Sequence, residues 1–193
     1  MTFNYGTIPT NEILINPYER AKRLQVASNF NMDEFDKCFE KLKVVVDCKY
    51  LGVKVPVKRL GGSSLDCGFG EFESEKLLKN LKDCNEAFVF CVTLGIGVDR
   101  LLNKLKTISP VEYFITDSLS SALAEGAMDK AEKIIKGETL TRPRFSPGFG
   151  DFGIELQPRI LELLNAPRLL GMTVNKSYLM LPMKSVTAVM GII

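Results

Sequence analysis

The chain has no histidine and no tryptophan among its 193 residues. Without imidazole, Ser-His-Asp and Cys-His catalysis are excluded, and so are the common zinc sites that need histidine. Five cysteines are present (Cys38, Cys48, Cys67, Cys84 and Cys91), but no CxxC pair. An odd count without ligand spacing argues against a disulfide framework and a thiolate metal site; five structural thiols are expected. Neither sign of charge dominates: 25 basic residues face 23 acidic ones, a net charge of +2. The lysines are interleaved with acids, as in "DKCFEKLK" at 36–43, so no basic stripe marks a nucleic-acid or membrane surface. No apolar run approaches the roughly 18 residues of a membrane span. The opening "MTFNYGTIPTNEIL" lacks the basic-then-apolar pattern of a secretory leader. Together these absences point to a cytoplasmic protein with neither nucleic acid nor membrane as a partner.

What is present is a sizeable core. Hydrophobic residues make up 46% and charged residues 25%, ordinary globular composition sufficient for one domain over 1–193. A first helix is expected over 10–26, with Pro17 near its start. Residues 32–42 place Phe35, Cys38, Phe39 and Leu42 at helical spacing. The stretch 44–60 reads as strand: Val53, Val55 and Val57 alternate with Lys54, Pro56 and Lys58, and Pro56 suits an edge. "GGSSLDCGFGEF" at 61–72 reads as a turn-rich connection. Ser74 can cap a helix carrying Leu77, Leu78, Leu81 and Cys84. The apolar run "AFVFCVT", 87–93, predicts a central strand. "LGIGVDRLLNKL" follows as a glycine turn and a helix. Its GxG lacks the third glycine and the downstream acid of a dinucleotide-binding loop, so a tight turn is the better reading.

Ser109-Pro110 predicts the start of the longest helix, and Gly137 its end. Val111, Phe114, Ile115, Leu119, Ala122, Leu123, Ala127, Ile134 and Ile135 form an apolar stripe. Asp117, Ser121 and Glu125 recur at steps of four on another face, which is either solvated or covered by protein or ligand. A short helix with Pro158 in its first turn carries Ile160, Leu161, Leu163 and Leu164. The terminal runs "MTVNKSYLML" and "SVTAVMGII", joined through "PMK", predict an antiparallel hairpin.

Between these elements, 138–153 has no periodicity, and such long irregular stretches are often functional. "RPRFSPGFGDFG", 142–153, concentrates Arg, Pro, Gly and Phe. Arg144 presents a planar fork that matches a carboxylate or phosphate. Pro147 and Gly148 allow a sharp turn; Phe149 and Phe152 can stack on a flat heterocycle or pack inward. Two readings stand: a ligand site, with Glu125 facing an amine or cation, and a packed loop whose arginine neutralises an acid such as Asp151.

The segment 144–192, beginning "RFSPGFGDFGIELQ", resembles the activation (reactivation) domain of cobalamin-dependent methionine synthase, in its short stand-alone form. The resemblance is fair over 93–102 and 116–132 and weak over the first 80 residues. It implies an α+β fold, a twisted and mainly antiparallel sheet with flanking helices. The family's motif for S-adenosylmethionine is Arg-x-x-x-Gly-Tyr; here it reads Arg144-Phe-Ser-Pro-Gly148-Phe149. Arg144 and Gly148 thereby inherit ligand roles, Phe149 keeps the ring without the hydroxyl, and Glu125 falls where family members carry an acid. Glu125, Phe149 and Pro147 are implied to face a corrinoid. No residue is implied as catalytic and none as a metal ligand; with no histidine, the chain offers no imidazole to cobalt.

The implied function is reductive remethylation of cobalamin, carried by a methionine synthase or other corrinoid protein in trans. S-adenosylmethionine is the methyl donor and a flavodoxin- or ferredoxin-like protein the electron donor. The family's aspartate-tryptophan segment and its aromatic pair beyond the last hairpin have no counterpart here, which predicts binding of the ligand that is weak, or absent until a partner completes the site. The alternatives are a non-catalytic module that senses S-adenosylmethionine or binds a corrinoid protein, and a methyltransferase acting on another substrate.

Overall fold

A computed structural model describes residues 3–15 and 32–193. Strand β1 (Phe3–Thr7) is followed by a single 3-10 turn, Thr10–Glu12. Of the helix expected over 10–26, only 10–15 can be compared, and there it does not form: after the 3-10 turn, Ile13 is extended and residues 13–15 are not helical; Pro17 and the rest of it, from residue 16 on, lie outside the described residues. Helix α1 (Met32–Val45) buries Phe35, Cys38 and Leu42, as the spacing required. It also takes in Val44 and Val45, so the strand expected from 44 starts later, at β2 (Lys49–Pro56).

In β2 the alternation holds. Val53 and Val55 are buried, with Val57 just beyond them, while Lys54 and Pro56 face solvent. Pro56 lies beyond the pairing with β1, which among the described residues ends at Val53. The stretch 58–73 is more than a connection. It folds into β3 (Lys58–Gly61), β4 (Ser64–Asp66) and β5 (Glu71–Glu73), a small antiparallel sheet. Short strands split by glycines escape pattern reading because each is too brief to show a period. Ser74 then caps α2 (Glu75–Asn80), accepting from the Leu77 amide at 3.1 Å.

The apolar run is β6 (Glu86–Thr93), and Gly95 turns it into α3 (Ile96–Ile108). Helix α4 (Pro110–Lys136) has Ser109 as its cap and Gly137 at its end, as expected. Val111, Phe114 and Ile134 of its stripe are nevertheless exposed. The chain continues through a 3-10 turn at Ile154–Leu156 into α5 (Gln157–Leu163) and α6 (Ala166–Leu170). It closes with β7 (Thr173–Val174), β8 (Met180–Leu181) and β9 (Ser185–Ile192).

The main sheet has the order β1-β2-β6-β9, with every neighbour antiparallel. The terminal runs do not pair with each other as expected. β7 and β8 form their own two-stranded ribbon, and β9 crosses to the free side of β6. Burial explains the choice: β9 is buried on both faces, which suits a sheet with cover on both sides.

Those covers are two cores. On one face Tyr50, Phe90, Val92, Ala188 and Met190 pack with α1, α3 and α4. On the other, Leu51, Val53, Val89, Cys91 and Val189 pack with α2, α5, α6 and the small sheet. The architecture is α+β, and among the described residues the antiparallel pairing provides no strand-helix-strand crossover of the dinucleotide-binding type. Among the described residues no helix is long and apolar enough to cross a membrane, and no group of His, Cys, Asp and Glu is arranged to hold a metal ion.

Candidate functional site

The irregular stretch 138–153 runs along the outer edge of β9. Arg142 donates its backbone N–H to Gly191 at 2.8 Å, and Phe145 exchanges both backbone bonds with Val189 at 2.8 and 2.9 Å. Beyond Phe145 the chain peels away, and the edge from Ser185 to Ala188 is left open. A cavity of about 300 Å³ occupies that opening. Helix α4 contributes Glu125; the loop contributes Arg144 to Pro147 and Phe149; α5 contributes Gln157; β8 contributes Met180; and β9 contributes Ser185 to Thr187. The volume is at the lower end of the range for small-molecule sites, about 300–1,000 Å³.

The loop's aromatic content divides by direction. Phe152 is fully buried and packs against Phe72 (ring centroids 5.4 Å apart), Phe145 and Phe69. Phe149 points outward and is 66% exposed at the cavity wall. Gly148 stands between lining residues without lining the cavity itself. Its φ of 93° is a conformation that favours glycine, and its N–H closes the turn on Phe152 at 2.7 Å.

Asp151 does not meet Arg144. It accepts from the Ser74 hydroxyl at 2.7 Å and from the backbone N–H groups of Glu75 and Lys76 at the start of α2. The Ser74 hydrogen bond, with the two amides, holds this carboxyl below its ordinary pKa. A carboxylate against the positive end of a helix is favourable for the same reason, so Asp151 pins the loop to α2.

Arg144 turns instead to α4. Nη1 donates to Asp129 at 2.7 Å and to Glu132 at 2.9 Å, and Nη2 reaches Glu125 at 3.5 Å. Glu125, Asp129 and Glu132 lie at steps of four and three, so one helix face carries all three. Burial works against the guanidinium's charge, but the bonds it donates to Glu132 and Asp129, with the charge of those carboxylates, outweigh it and raise its pKa. Lys136 also pairs with Glu132, at 3.4 Å, so two cations and three anions leave the cluster formally at −1.

The second face of α4 is therefore bridged by ion pairs rather than covered, since the side chains of Glu125 and Asp129 stay about half exposed. One turn further towards its start, Lys184 donates to Asp117 at 2.7 Å and to Ser121 at 2.8 Å. Asp99, buried on α3, accepts from the Met183 amide at 2.9 Å and fixes the turn leading into β9. The cavity's edge strand is thus clamped from two helices.

Of the five residues the sequence reading brought to one place, Glu125, Arg144, Pro147 and Phe149 share one cavity, and Gly148 does not line it. That reading missed Gln157, Met180, Ser185 and Thr187. Ser185 and Thr187 carried a signal, polar residues at alternate positions on an otherwise apolar strand. Gln157 carried none, because a glutamine opening a helix reads as surface. It is in fact only 4% exposed and accepts from the Thr187 hydroxyl at 2.8 Å.

A second cavity, of about 480 Å³, lies where β6 turns into α3 and is lined by Asp47, Lys49, Gly95 and Leu181 among others. None of the residues singled out above as ligand-facing lines it.

No protein-family model matches the chain, and none of the curated proteins matches it in sequence. Solved structures do match. A crystal structure of the MetH reactivation domain bound to AdoHcy superimposes with a TM-score of 0.73. The match covers 99% of this chain and 78% of that one, at 14% sequence identity. The chain therefore shares the fold of that reactivation domain.

Proposed function

We propose that the chain, acting as one domain over 1–193, binds S-adenosylmethionine and supports reductive remethylation of cobalamin on a partner. That partner is a B12-dependent methionine synthase or another corrinoid protein acting in methionine biosynthesis. One observation carries this reading: Glu125, Arg144, Pro147 and Phe149 converge on a single cavity in a fold shared with a reactivation domain.

The roles follow from the groups. Asp129 and Glu132 hold Nη1 of Arg144; the Nη2 edge, only 3.5 Å from Glu125, takes the ligand's carboxylate. Glu125 complements the ligand's cationic end, and the net negative cluster favours a ligand that brings positive charge. Gly148 shapes the turn that brings Pro147 and Phe149 to the cavity, and Phe149 walls it. The partner's corrinoid supplies the cobalt chemistry. One electron from a flavodoxin- or ferredoxin-like donor and the methyl group of the sulfonium both end on it. The carbon–sulfur bond breaks with its electron pair on sulfur, leaving S-adenosylhomocysteine. The protein's contribution is to position the donor and exclude water.

The decisive experiment mixes this protein with a corrinoid-loaded methionine synthase module, S-adenosylmethionine and a chemical reductant. Remethylation followed in the visible spectrum, with stoichiometric S-adenosylhomocysteine, is the expected result; neither product appearing would sink the proposal. A second reading, a binding module without catalysis, draws on the pairing of Arg144 with three carboxylates inside the protein. Calorimetry with S-adenosylmethionine, with and without the corrinoid partner, distinguishes the two.

A further inference from the structure

The deepest polar groups of the cavity lie on neither Arg144 nor Glu125. They belong to Gln157 and Thr187, both buried, one on α5 and one on the edge strand β9. The Thr187 hydroxyl donates to Oε1 of Gln157 at 2.8 Å, which fixes the orientation of the amide. Nε2 then has no hydrogen-bond partner among the described residues, yet it is not among the polar atoms sealed inside the protein. A side chain that is nearly all buried, with a donor that is both unpaired and unsealed, directs that donor into the cavity it lines.

The backbone adds to this. Val189 turns both its N–H and its C=O outward, to Phe145. In an antiparallel strand that direction repeats every second residue, so the N–H and C=O of Thr187 face the same open edge. The loop has already peeled away there, and the Thr187 backbone has no partner among the described residues. Side-chain N–H, backbone N–H and backbone C=O thus make a compact donor–donor–acceptor array on the floor.

We infer that Gln157, oriented by Thr187, reads the nucleoside end of the ligand through an acceptor atom of its heterocycle or ribose. This inference depends on the S-adenosylmethionine reading above. It assigns the two ends of the ligand to opposite sides of the cavity: the amino-acid part to Arg144 and Glu125, the nucleoside to the floor beneath Phe145 and Met180. Gln157 would make the contact, and Thr187 would be a positioning residue.

The test is calorimetric titration of the full chain with S-adenosylmethionine, with thermal unfolding run on each variant. Gln157→Met keeps the length and removes both donors. It is expected to weaken binding at least about tenfold, the effect of losing one well-placed hydrogen bond and leaving its partner unmatched. Thr187→Val keeps the amide but removes the hydroxyl that orients it, and an intermediate loss is expected. A folded Gln157→Met that binds like the parent overturns the inference and leaves the functional reading standing. If Gln157→Met does not fold, a folded Thr187→Val that binds like the parent overturns it instead. The titration is run with and without the corrinoid partner; if the parent binds no S-adenosylmethionine in either case, the functional reading falls and the inference falls with it.

Discussion

Nη1 of Arg144 donates to Oδ1 of Asp129 at 2.7 Å, so the arginine suited to a ligand carboxylate is already held by a carboxylate of its own chain. Holding by Asp129 and Glu132 fixes where the remaining edge points. Arg144→Ala should therefore do two things at once. It should abolish S-adenosylmethionine binding in calorimetry. It should also destabilise the fold by about 1–3 kcal/mol, since charged hydrogen bonds are lost and Glu132 is left with Lys136 alone while Glu125 and Asp129 lose Arg144. Asp129→Asn keeps the shape and should weaken binding less than Arg144→Ala. Equal binding by Arg144→Ala and the parent would remove the arginine from the site.

The Asp151 carboxylate ties the loop to the start of α2, and its pKa is lowered first by the Ser74 hydroxyl and then by the amides of Lys76 and Glu75. A lowered pKa in the folded state means the stabilisation is complete above the unfolded value, about 3.9, and is lost as pH falls through the folded value. Chemical denaturation from pH 6 down to pH 2 should show an acid-side loss that is smaller in Asp151→Asn. Ser74→Ala removes the side-chain cap of α2 as well and should cost about 1 kcal/mol at neutral pH. An unchanged acid slope in Asp151→Asn would refute the pinning role.

Gly126 sits beside Glu125 on α4, and a Cβ there would meet the Leu14 carbonyl oxygen well inside contact distance. Backbone cannot move aside as the end of a side chain can. Gly126→Ala should destabilise by about 1–3 kcal/mol despite alanine's better helix propensity. Urea unfolding gives the sign directly: a gain in stability would mean that the approach of residues 13–14 to α4 is loose.

Phe149 is largely exposed, so it can be changed without touching either core. Phe149→Ala should shift stability by no more than about 0.5 kcal/mol and should weaken ligand binding. Phe149→Tyr restores the hydroxyl of the family motif and should bind at least as tightly as the parent. Thermal unfolding paired with calorimetry separates the two effects; a large stability loss in Phe149→Ala would make it a packing residue.

All five cysteines are buried and unpaired. Burial pushes the thiols of Cys48, Cys67 and Cys91 up to about 12, and thiols react through the thiolate. A thiol reagent at pH 8 should leave the native protein unlabelled over minutes and label five groups in denaturant. Rapid labelling of the native protein would contradict the burial.

Much of the fold was legible because it follows local rules. Ser109, Pro110 and Gly137 mark the ends of α4 to the residue, since caps are satisfied within a few positions. Two-sided burial made 87–93 an unbroken apolar run, and so a central strand. The small sheet over 58–73 was not legible, because strands of three or four residues carry no usable period. The partner of β9 was not legible either, since apolar faces record that a strand is covered but not by which neighbour.

The sequence by itself determined the chemistry that is possible: no imidazole, buried thiols, and a loop whose arginine, glycine and aromatic rings can surround a small charged ligand. It also determined, through spacing alone, that Glu125 lies off the apolar stripe of α4. Only the tertiary structure decided which acids Arg144 meets, because Asp151 was near in sequence while Asp129 and Glu132 were near in space. It decided, too, that Gln157 and Thr187 belong to the same cavity. Thirty residues separate those two side chains along the chain, and their hydrogen bond exists only because β9 crosses to β6 and leaves its own edge open.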